Sequence, residues 1–261
     1  MLHFAARVTS FRLRYAIYKS GLNRIVRDGQ GKSHPKPGSN AVVNVEKCRR
    51  QLGPGVEFFC ESFQVQAGER VALWGPSGCG KSTLLNLVSG LLKPDDGIVE
   101  VAGKEVHKMS QGGLDRYRSE HIGFVFQTFN LLSPFTALQN VLLGMRFSET
   151  LPSREWKGRA TELLDRVGLS HRLHSKPRTM SVGEQQRVAI ARALANKQEV
   201  VVADEPTGSL DPRTSDEVMD LLIEMCEEEN VTLLLVTHED EVASRLQRRY
   251  ECRGLVTDTT R

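Results

Sequence analysis

Residues 75–83 read Gly-Pro-Ser-Gly-Cys-Gly-Lys-Ser-Thr and match the pattern G-x-x-x-x-G-K-[ST], which constrains the fold more than any other stretch. An apolar run at residues 71–74 precedes the pattern, and leucines and a valine at helical spacing follow it. The segment therefore predicts a strand, a glycine loop and a helix, whose backbone N–H groups and dipole point at one anion. The candidate phosphate-binding residues are Gly75, Pro76, Ser77, Gly78, Cys79, Gly80, Lys81, Ser82 and Thr83.

Three side chains of this loop have distinct predicted roles. Lys81 would contact the terminal phosphates of a bound nucleotide, and the Ser82 hydroxyl would be a ligand of Mg²⁺. Cys79 brings a thiol into the loop, where it is either a target for alkylation or a small filler. The chain has five scattered cysteines without metal-ligand spacing, which fits a reducing cytosol.

The first forty residues differ in charge from the rest of the chain. They contain eight lysines or arginines and one acidic residue, so they carry +7 against +3 for the whole chain. We therefore expect a basic extension at residues 1–40, ending in a linker rich in Gly, Pro and Ser, and a main domain at residues 41–261. Because the main domain is slightly acidic, we do not expect it to bind nucleic acid.

The basic extension allows three interpretations. Its apolar residues fall on one helical stripe flanked by cations, which is typical of a helix at a membrane surface. The arginines and the scarcity of acidic residues also fit a transit peptide, and a third possibility is that the segment is not translated. No apolar run reaches the roughly 20 residues needed to cross a bilayer, so a membrane role needs a partner or a surface attachment. The stripe consists of Phe4, Val8, Phe11, Tyr15, Tyr18, Leu22 and Ile25.

Strand patterns in the main domain are of two kinds. Alternating apolar residues between 42 and 71, and a run at 97–103, predict a small antiparallel sheet beside the phosphate loop. Continuous apolar runs predict strands buried on both faces, as in a mainly parallel sheet. These runs lie at residues 123–126, 199–203 and 231–236.

Helical patterns occupy the segment between the first two of these runs. Thr136 and Gln139 have capping-box spacing and predict the start of one helix, and a second helix is predicted at residues 154–167. Residues 128–180 are therefore predicted to form a helical insertion. A further amphipathic helix is predicted at residues 218–225.

Polar side chains stand at the ends of the predicted core strands. Because the carboxyl ends of parallel strands meet at one edge, we expect them to lie beside the phosphate loop. Asp204 would hold the water shell of a metal ion, and Glu205 would orient and deprotonate an attacking water. Gln127 would contact the metal or its water, and His238 would hydrogen-bond the γ-phosphate or the attacking water. Singly, a glutamine or a histidine in such a place is more often structural.

A second capping box, Ser181-Val-Gly-Glu184, predicts another helix start. A structural role explains this pattern by itself. A capped N-terminus with Gly183 in its first turn also presents free N–H groups to an anion.

With these residues assembled, the chain from about residue 40 to 252 resembles the nucleotide-binding subunit of an ATP-binding cassette (ABC) transporter. Six motifs occur in the family's order. They are Walker A at 75–83, the Q-loop Gln127, the signature-like segment 180–187, Walker B at 200–205, the D-loop 209–211 and the switch histidine His238. The resemblance implies an α/β fold, with a P-loop NTPase core, a small antiparallel β subdomain and an inserted helical subdomain.

The resemblance also implies the activity and the partners. ATP would lie between Walker A of one chain and the signature of a second chain, in a head-to-tail homodimer in which Ser181, Gly183 and Asp211 contribute to the nucleotide site. Closure on ATP and opening after hydrolysis would drive an integral membrane permease subunit docked near Gln127 and residues 128–132. Residues 127–140 are most similar to the lipoprotein-release and macrolide-export group. The implied cofactors are ATP and Mg²⁺, at the cytoplasmic face of the cell membrane.

Two departures from the family pattern bear on the site. Val182 stands where the signature usually has a glycine, and a β-branched residue takes positive φ only at a cost and crowds a nearby phosphate. Residues 45–51 contain no aromatic side chain, although the family usually stacks the adenine on one before Walker A. We therefore expect a weaker contact from the signature and less selectivity for adenine.

Two other functions are compatible with these motifs. A soluble ABC ATPase acting on nucleic acid or ribosomes is disfavoured, because such proteins usually join two cassettes or insert a long coiled coil. A non-hydrolysing switch that dimerises on ATP is the second alternative, and the altered signature is the reason to consider it. The sequence does not identify the cargo.

Overall fold

Two five-stranded sheets form the framework of the protein. The computed structural model describes residues 41–258, so the predicted basic extension lies outside the described residues. The first sheet is antiparallel and has the order β10-β2-β1-β4-β5, which confirms the predicted small antiparallel sheet. Its strands are β1 (Ala41–Gly53), β2 (Val56–Gln66), β4 (Asp96–Val101), β5 (Lys104–Glu105) and β10 (Val256–Asp258).

The second sheet is parallel in every pairing and has the order β6-β7-β8-β3-β9. Along one of its strands, Val200 and Val202 pack into one hydrophobic cluster and Val201 and Ala203 into another. Because alternate side chains point to opposite faces, this strand is buried on both sides, as its continuous apolar run predicts. The strands are β3 (Arg70–Trp74), β6 (Ile122–Phe126), β7 (Val200–Asp204), β8 (Thr232–Thr237) and β9 (Arg248–Glu251).

Two helices belong to the part of the chain that precedes β6. Helix α1 (Lys81–Val88) follows the phosphate loop, and its Leu84 and Leu87 pack in the same cluster as Phe58 of the antiparallel sheet. Helix α2 (Gln111–His121) is not predicted by the sequence pattern. Only two of its residues are buried, so its apolar stripe is too short to be recognised.

The helical insertion lies between β6 and β7. It contains α3 (Ala137–Met145) and α4 (Ser153–Arg166), and α5 (Val182–Ala193) leads back to the sheet. Both predicted capping boxes are confirmed, since the side chains of Thr136 and Ser181 each accept a hydrogen bond from the backbone three residues on.

The last two helices precede and follow β8 along the chain. Helix α6 (Pro212–Glu228) begins before the predicted residue 218, because the Asp211 side chain caps it and a proline takes its first position. Helix α7 (Asp240–Ser244) precedes β9. Within residues 41–258, no helix combines the length and the apolar character that a membrane span requires.

Candidate nucleotide site

The phosphate loop, residues 75–83, connects the end of β3 to the start of α1. Gly80 is the N-cap of α1 and has φ 106°, a left-handed conformation that strains any residue with a β-carbon. A β-carbon there would also lie 3.1 Å from both the Phe58 ring and Leu255. Glycine at position 80 therefore lets the loop turn into the helix while resting on the antiparallel sheet.

Lys81 folds back over the loop that precedes it. Its Nζ donates hydrogen bonds to the carbonyl oxygens of Gly75 at 2.7 Å and Pro76 at 2.9 Å, and the residue is 7% exposed. An ammonium group has three donors. These two bonds hold the charge at the loop, and the third donor is available to an anion bound there.

Two carboxylates stand at the end of β7, which is separated from β3 by β8 in the sheet. Asp204 is the last residue of β7, and its pKa is raised by burial and by the neighbouring charge of Glu205, against the opposing effect of Lys81. Glu205 follows with φ 44°, uncommon for a residue other than glycine, and its N–H donates to Val236 O at 3.0 Å. The backbone thus turns sharply where the second carboxylate leaves the sheet.

His238 and Glu205 are in direct contact. Nδ1 of His238 donates to Oε1 of Glu205 at 2.8 Å, since an ionised carboxylate can only accept. Their strands β8 and β7 are neighbours in the sheet, which brings together residues 33 positions apart. Both side chains keep access to solvent, the imidazole at 56% and the carboxylate at 30% exposure.

Gln127 leaves the end of β6 and lies against the D-loop side of the site. A β-carbon on Gly208 would stand 2.8 Å from Nε2 of Gln127, and Ser209 Oγ donates to the Gln127 carbonyl at 3.2 Å. Asp211, two residues further on, caps α6 through a hydrogen bond from Thr214 N at 3.1 Å. The predicted Q-loop and D-loop segments are therefore packed together.

Ser181 and Gly183 begin α5 at a different place. Ser181 Oγ accepts from Glu184 N at 3.1 Å, and a β-carbon on Gly183 would meet a methyl group of Thr214 at 2.6 Å. Among the described residues, no hydrogen bond or ion pair joins Ser181 or Gly183 to the phosphate loop. The structure thus groups Lys81, Glu205 and His238 near the carboxyl ends of β3, β7 and β8, whereas the contact of Gly183 at the start of α5 is with Thr214 of α6.

The strain expected at Val182 is absent, so that prediction is wrong. Val182 is the first residue of α5 and is not among the positive-φ residues of the described chain, because Ser181 at φ −63° takes the N-cap conformation. A β-branched residue is tolerated at this helical position. Its side chain is 45% exposed, so it adds an apolar contact surface beside Ser181.

Gln186 is a residue of the site region that sequence reasoning missed. It is fully buried, and its Nε2 donates to Pro206 O at 2.5 Å and to Phe126 O at 3.5 Å, whereas its Oε1 has no partner among the described residues. The signature helix is thereby tied to the backbone just before Gln127 and just after Glu205. Its helical spacing from the buried Gly183 and Ile190 is the signal that could have identified it.

The donor set fits Mg²⁺ bound together with nucleotide phosphates. Ser82 offers an exposed hydroxyl, Asp204 a carboxylate and Gln127 an amide, which are the oxygen ligands that this ion prefers. No group of three His, Cys, Asp or Glu residues in the described chain could hold a metal by itself. Mg²⁺ usually keeps several waters and is shared with phosphates, so an all-protein cage is not required.

Comparison with known proteins gives the family. The family model described as ABC transporter matches residues 61–208. The lipoprotein-releasing system ATP-binding protein LolD of Hydrogenovibrio crunogenus is 46% identical over 189 residues, which cover 72% of this chain and 82% of LolD. The macrolide export ATP-binding/permease protein MacB of Rhodopirellula baltica is 46% identical over 202 residues, 77% of this chain and 30% of MacB.

A solved structure shows the same architecture. A dimeric ATP-binding cassette in a post-hydrolysis state, bound to ADP and Pi, superposes with a TM-score of 0.69 and 36% identity, covering 80% of this chain and 93% of that chain. The parallel sheet, the antiparallel sheet and the helices agree with an ABC ATPase cassette. The chain therefore belongs to the ABC transporter family, as an ATP-binding ATPase subunit similar to those of the lipoprotein-release and macrolide-export group.

Proposed function

We propose that this ATPase works as a head-to-tail homodimer that powers a separate integral membrane subunit of an export or lipoprotein-release complex. It would act at the cytoplasmic face of the membrane, held there by that subunit. The names of the relatives LolD and MacB support this class of function. Among the described residues, Ser181 and Gly183 make no hydrogen bond to the phosphate loop of their own chain, which agrees with a site that two chains complete together.

The arrangement around Glu205 carries the proposal for hydrolysis. Glu205 would accept the proton of the attacking water, and the hydrogen bond from His238 Nδ1 fixes the orientation of its carboxylate. His238 Nε2 would then face the γ-phosphate or that water. Lys81 would bind the β- and γ-phosphates with the donor that its own loop does not use.

Mg²⁺ would be held by Ser82, by Gln127 and, through its water shell, by Asp204. When bound, the ion neutralises charge on the phosphate oxygens. Ser181 and Gly183 would approach the γ-phosphate from the partner chain with the free N–H groups of α5, next to Asp211 of the D-loop.

A groove beside the Q-loop is the proposed docking site of the membrane subunit. It has a volume of about 750 Å³ and lies between the core and the helical insertion. Apolar side chains are exposed within it, above all Phe147 at 71% and Leu91 at 53%. Arg116, Arg118 and Arg192 also line it, together with Asp115, which pairs with Arg118. This combination suits an amphipathic helix that carries acidic side chains beside its apolar face.

The groove is connected to the signature helix. Arg192 of α5 donates to the carbonyl oxygens of Phe129 and Asn130, each at 2.7 Å, and these residues have positive φ. Gln186 of the same helix bonds the Phe126 carbonyl. A partner that moves the segment after Gln127 would therefore act on α5 and on the nucleotide site.

The test is Glu205→Gln, which keeps the side-chain shape and removes the base. We expect hydrolysis to fall by about 10²- to 10⁴-fold, while ATP binding persists and an ATP-dependent dimer accumulates in gel filtration. Glu61→Gln, on the exposed face of β2, is the matched control. Unchanged hydrolysis in Glu205→Gln would refute the assigned base, and no dimer in any variant would contradict the composite site.

A further inference from the structure

Two cysteines flank the first glycine of the phosphate loop. The Sγ atom of Cys79 is 2.8 Å, and the Cβ atom of Cys252 is 3.8 Å, from the point where a β-carbon on Gly75 would lie. A side chain at position 75 would therefore collide with the Cys79 sulfur and touch the Cβ atom of Cys252, so both cysteines lie beside Gly75. Cys252 N also donates to Trp74 O at 2.8 Å, which fixes the residue after β9 against the end of β3.

The two thiols differ in their environment. Cys79 is partly exposed within the loop, where a small oxidant can reach it. Cys252 is fully buried in the cluster beneath the antiparallel sheet. Burial first, and then the nearby Cys79, raise the pKa of Cys252 to about 12. Cys252 therefore stays a protonated thiol at neutral pH and is inert until a reactive sulfur is presented to it.

We propose that Cys79 and Cys252 form a reversible disulfide under hydrogen peroxide, and that this bond switches off the nucleotide site. The Cys79 thiolate attacks peroxide, so that an S–O bond forms, the O–O bond breaks and hydroxide leaves, which gives a sulfenic acid. Cys252 then attacks that sulfur, the S–O bond breaks, and the departing hydroxide takes the proton of Cys252 and leaves as water. One peroxide is reduced to two waters, and the two thiols are oxidised to one disulfide.

The bond would restrain the loop in a conformation that does not receive phosphates. The loop must present its N–H groups and Lys81 to the nucleotide, and Cys79 lies two residues before that lysine. Tying the loop to the buried chain after β9 would limit the movement of its N–H groups and of Lys81 around the phosphates. A thiol reductant would restore it, because no atom is lost in the oxidation.

Two further cysteines belong to the same hydrophobic cluster as Cys252. Cys48 and Cys60 are direct partners across β1 and β2, and Cys60 Sγ is 3.9 Å from Tyr250 Oη. Both are fully buried, and neither is in the phosphate loop. Peroxide reaches the partly exposed Cys79 first, so the disulfide should select the pair at Gly75.

The experiment treats the reduced full chain with hydrogen peroxide, blocks free thiols with N-ethylmaleimide and digests it with trypsin. Cleavage places Cys79 in the peptide 71–81 and Cys252 in the peptide 250–253, and each of the other cysteines falls in a peptide of its own. We expect these two peptides to be recovered linked, in one chain, and to separate on treatment with dithiothreitol. The loss of ATP hydrolysis should equal the linked fraction and should reverse with it.

Two variants make the result decisive. Cys252→Ala should give no linked peptide, and dimedone should instead trap the sulfenic acid on Cys79. Cys226→Ala removes a cysteine buried in the other core, so the linked pair should still form. Cys79 recovered free, or linked to any other cysteine or to a second chain, would overturn the proposal. The expected loss of hydrolysis depends on the proposed nucleotide site. Formation of the disulfide, which the linked peptides measure, does not depend on that site.

Discussion

Glu229 joins the helical insertion to the core, and its removal should destabilise the protein. It is the residue after α6, and its carboxylate accepts from Arg159 at 2.7 Å and from Arg166, both on α4. The carboxylate is 16% exposed and Arg159 is 11% exposed, so this pair is largely withdrawn from water. In Glu229→Gln, the two guanidinium groups keep their places and lose their main counter-charge.

The magnitude follows from burial. Breaking a fully buried ion pair costs about 3 to 5 kcal/mol, and the remaining exposure and the amide oxygen of glutamine reduce this to about 2 kcal/mol. For a domain of this size, that corresponds to a fall in Tm of about 4 to 8 °C. Glu228→Gln is the matched control, because Glu228 pairs with Arg166 at 2.9 Å but is 51% exposed. Its loss should cost no more than about 0.5 kcal/mol.

The assay is urea and thermal unfolding of both variants beside the parent chain. Equal destabilisation by the two substitutions would refute the reasoning, because it assigns the difference to burial. The pH dependence gives an independent check. Burial raises the pKa of Glu229, but the hydrogen bonds and charges of Arg159 and Arg166 outweigh it, so the net shift is downward.

A carboxylate whose pKa is lower in the folded state than in the unfolded state stabilises the protein at pH values above the unfolded-state pKa. This stabilisation is lost as the pH falls through the folded-state pKa. The difference in Tm between the parent and Glu229→Gln should therefore be constant from neutral pH to about pH 5. It should shrink as the pH falls below 4.5, the ordinary value for a glutamate. A difference that grows on acidification would contradict the sign.

Two further substitutions test the coupling between sites. Gln186→Leu removes the donor to Pro206 O and also a buried oxygen that has no partner, so the free energy of unfolding should change little. We expect kcat to fall more than KM changes. Gln185→Leu on the same helix is the control, and equal kinetic losses in the two variants would argue against the assigned role. Phe147→Ser should move the protein from the membrane fraction of its native cell to the soluble fraction, whereas Leu52→Ser, exposed on β1, should not.

Local signals predicted most of the elements. The capping boxes at Thr136 and Ser181 depend on residues three positions apart, and the strands β7 and β8 depend on continuous apolar runs. Helix α2 was not predicted, because only two of its residues, Leu114 and Tyr117, are buried. Where the apolar stripe is short, helical periodicity cannot be distinguished from a polar loop.

The sequence was sufficient to predict which residues form the site, but not which of their side chains are in contact. The sequence places Glu205 and His238 after buried strands, but only the pairing of β7 with β8 shows that they touch. Gln186 lies within a predicted helix, and its role depends on two backbone carbonyls distant in sequence. Val182 shows the opposite error. A residue-type rule predicted strain, and the N-cap at Ser181 leaves Val182 in ordinary helical geometry.

Complementation between two inactive chains tests the composite site most directly. Lys81→Met removes the phosphate contact of the loop. Ser181→Asp keeps a good N-cap for α5 and places a negative charge where the partner's γ-phosphate would lie. Each variant alone should be inactive. A mixed head-to-tail dimer combines the intact loop of one chain with the intact signature of the other.

Equal mixing should restore about a quarter of the parent ATP hydrolysis, because about half of the dimers are mixed and each has one intact site of two. A double variant, Lys81→Met with Ser181→Asp, mixed with either single variant is the control and should restore nothing. If the mixture of the two single variants stays inactive although the parent chain hydrolyses ATP, the two motifs do not meet across the dimer, and the proposed mechanism is wrong.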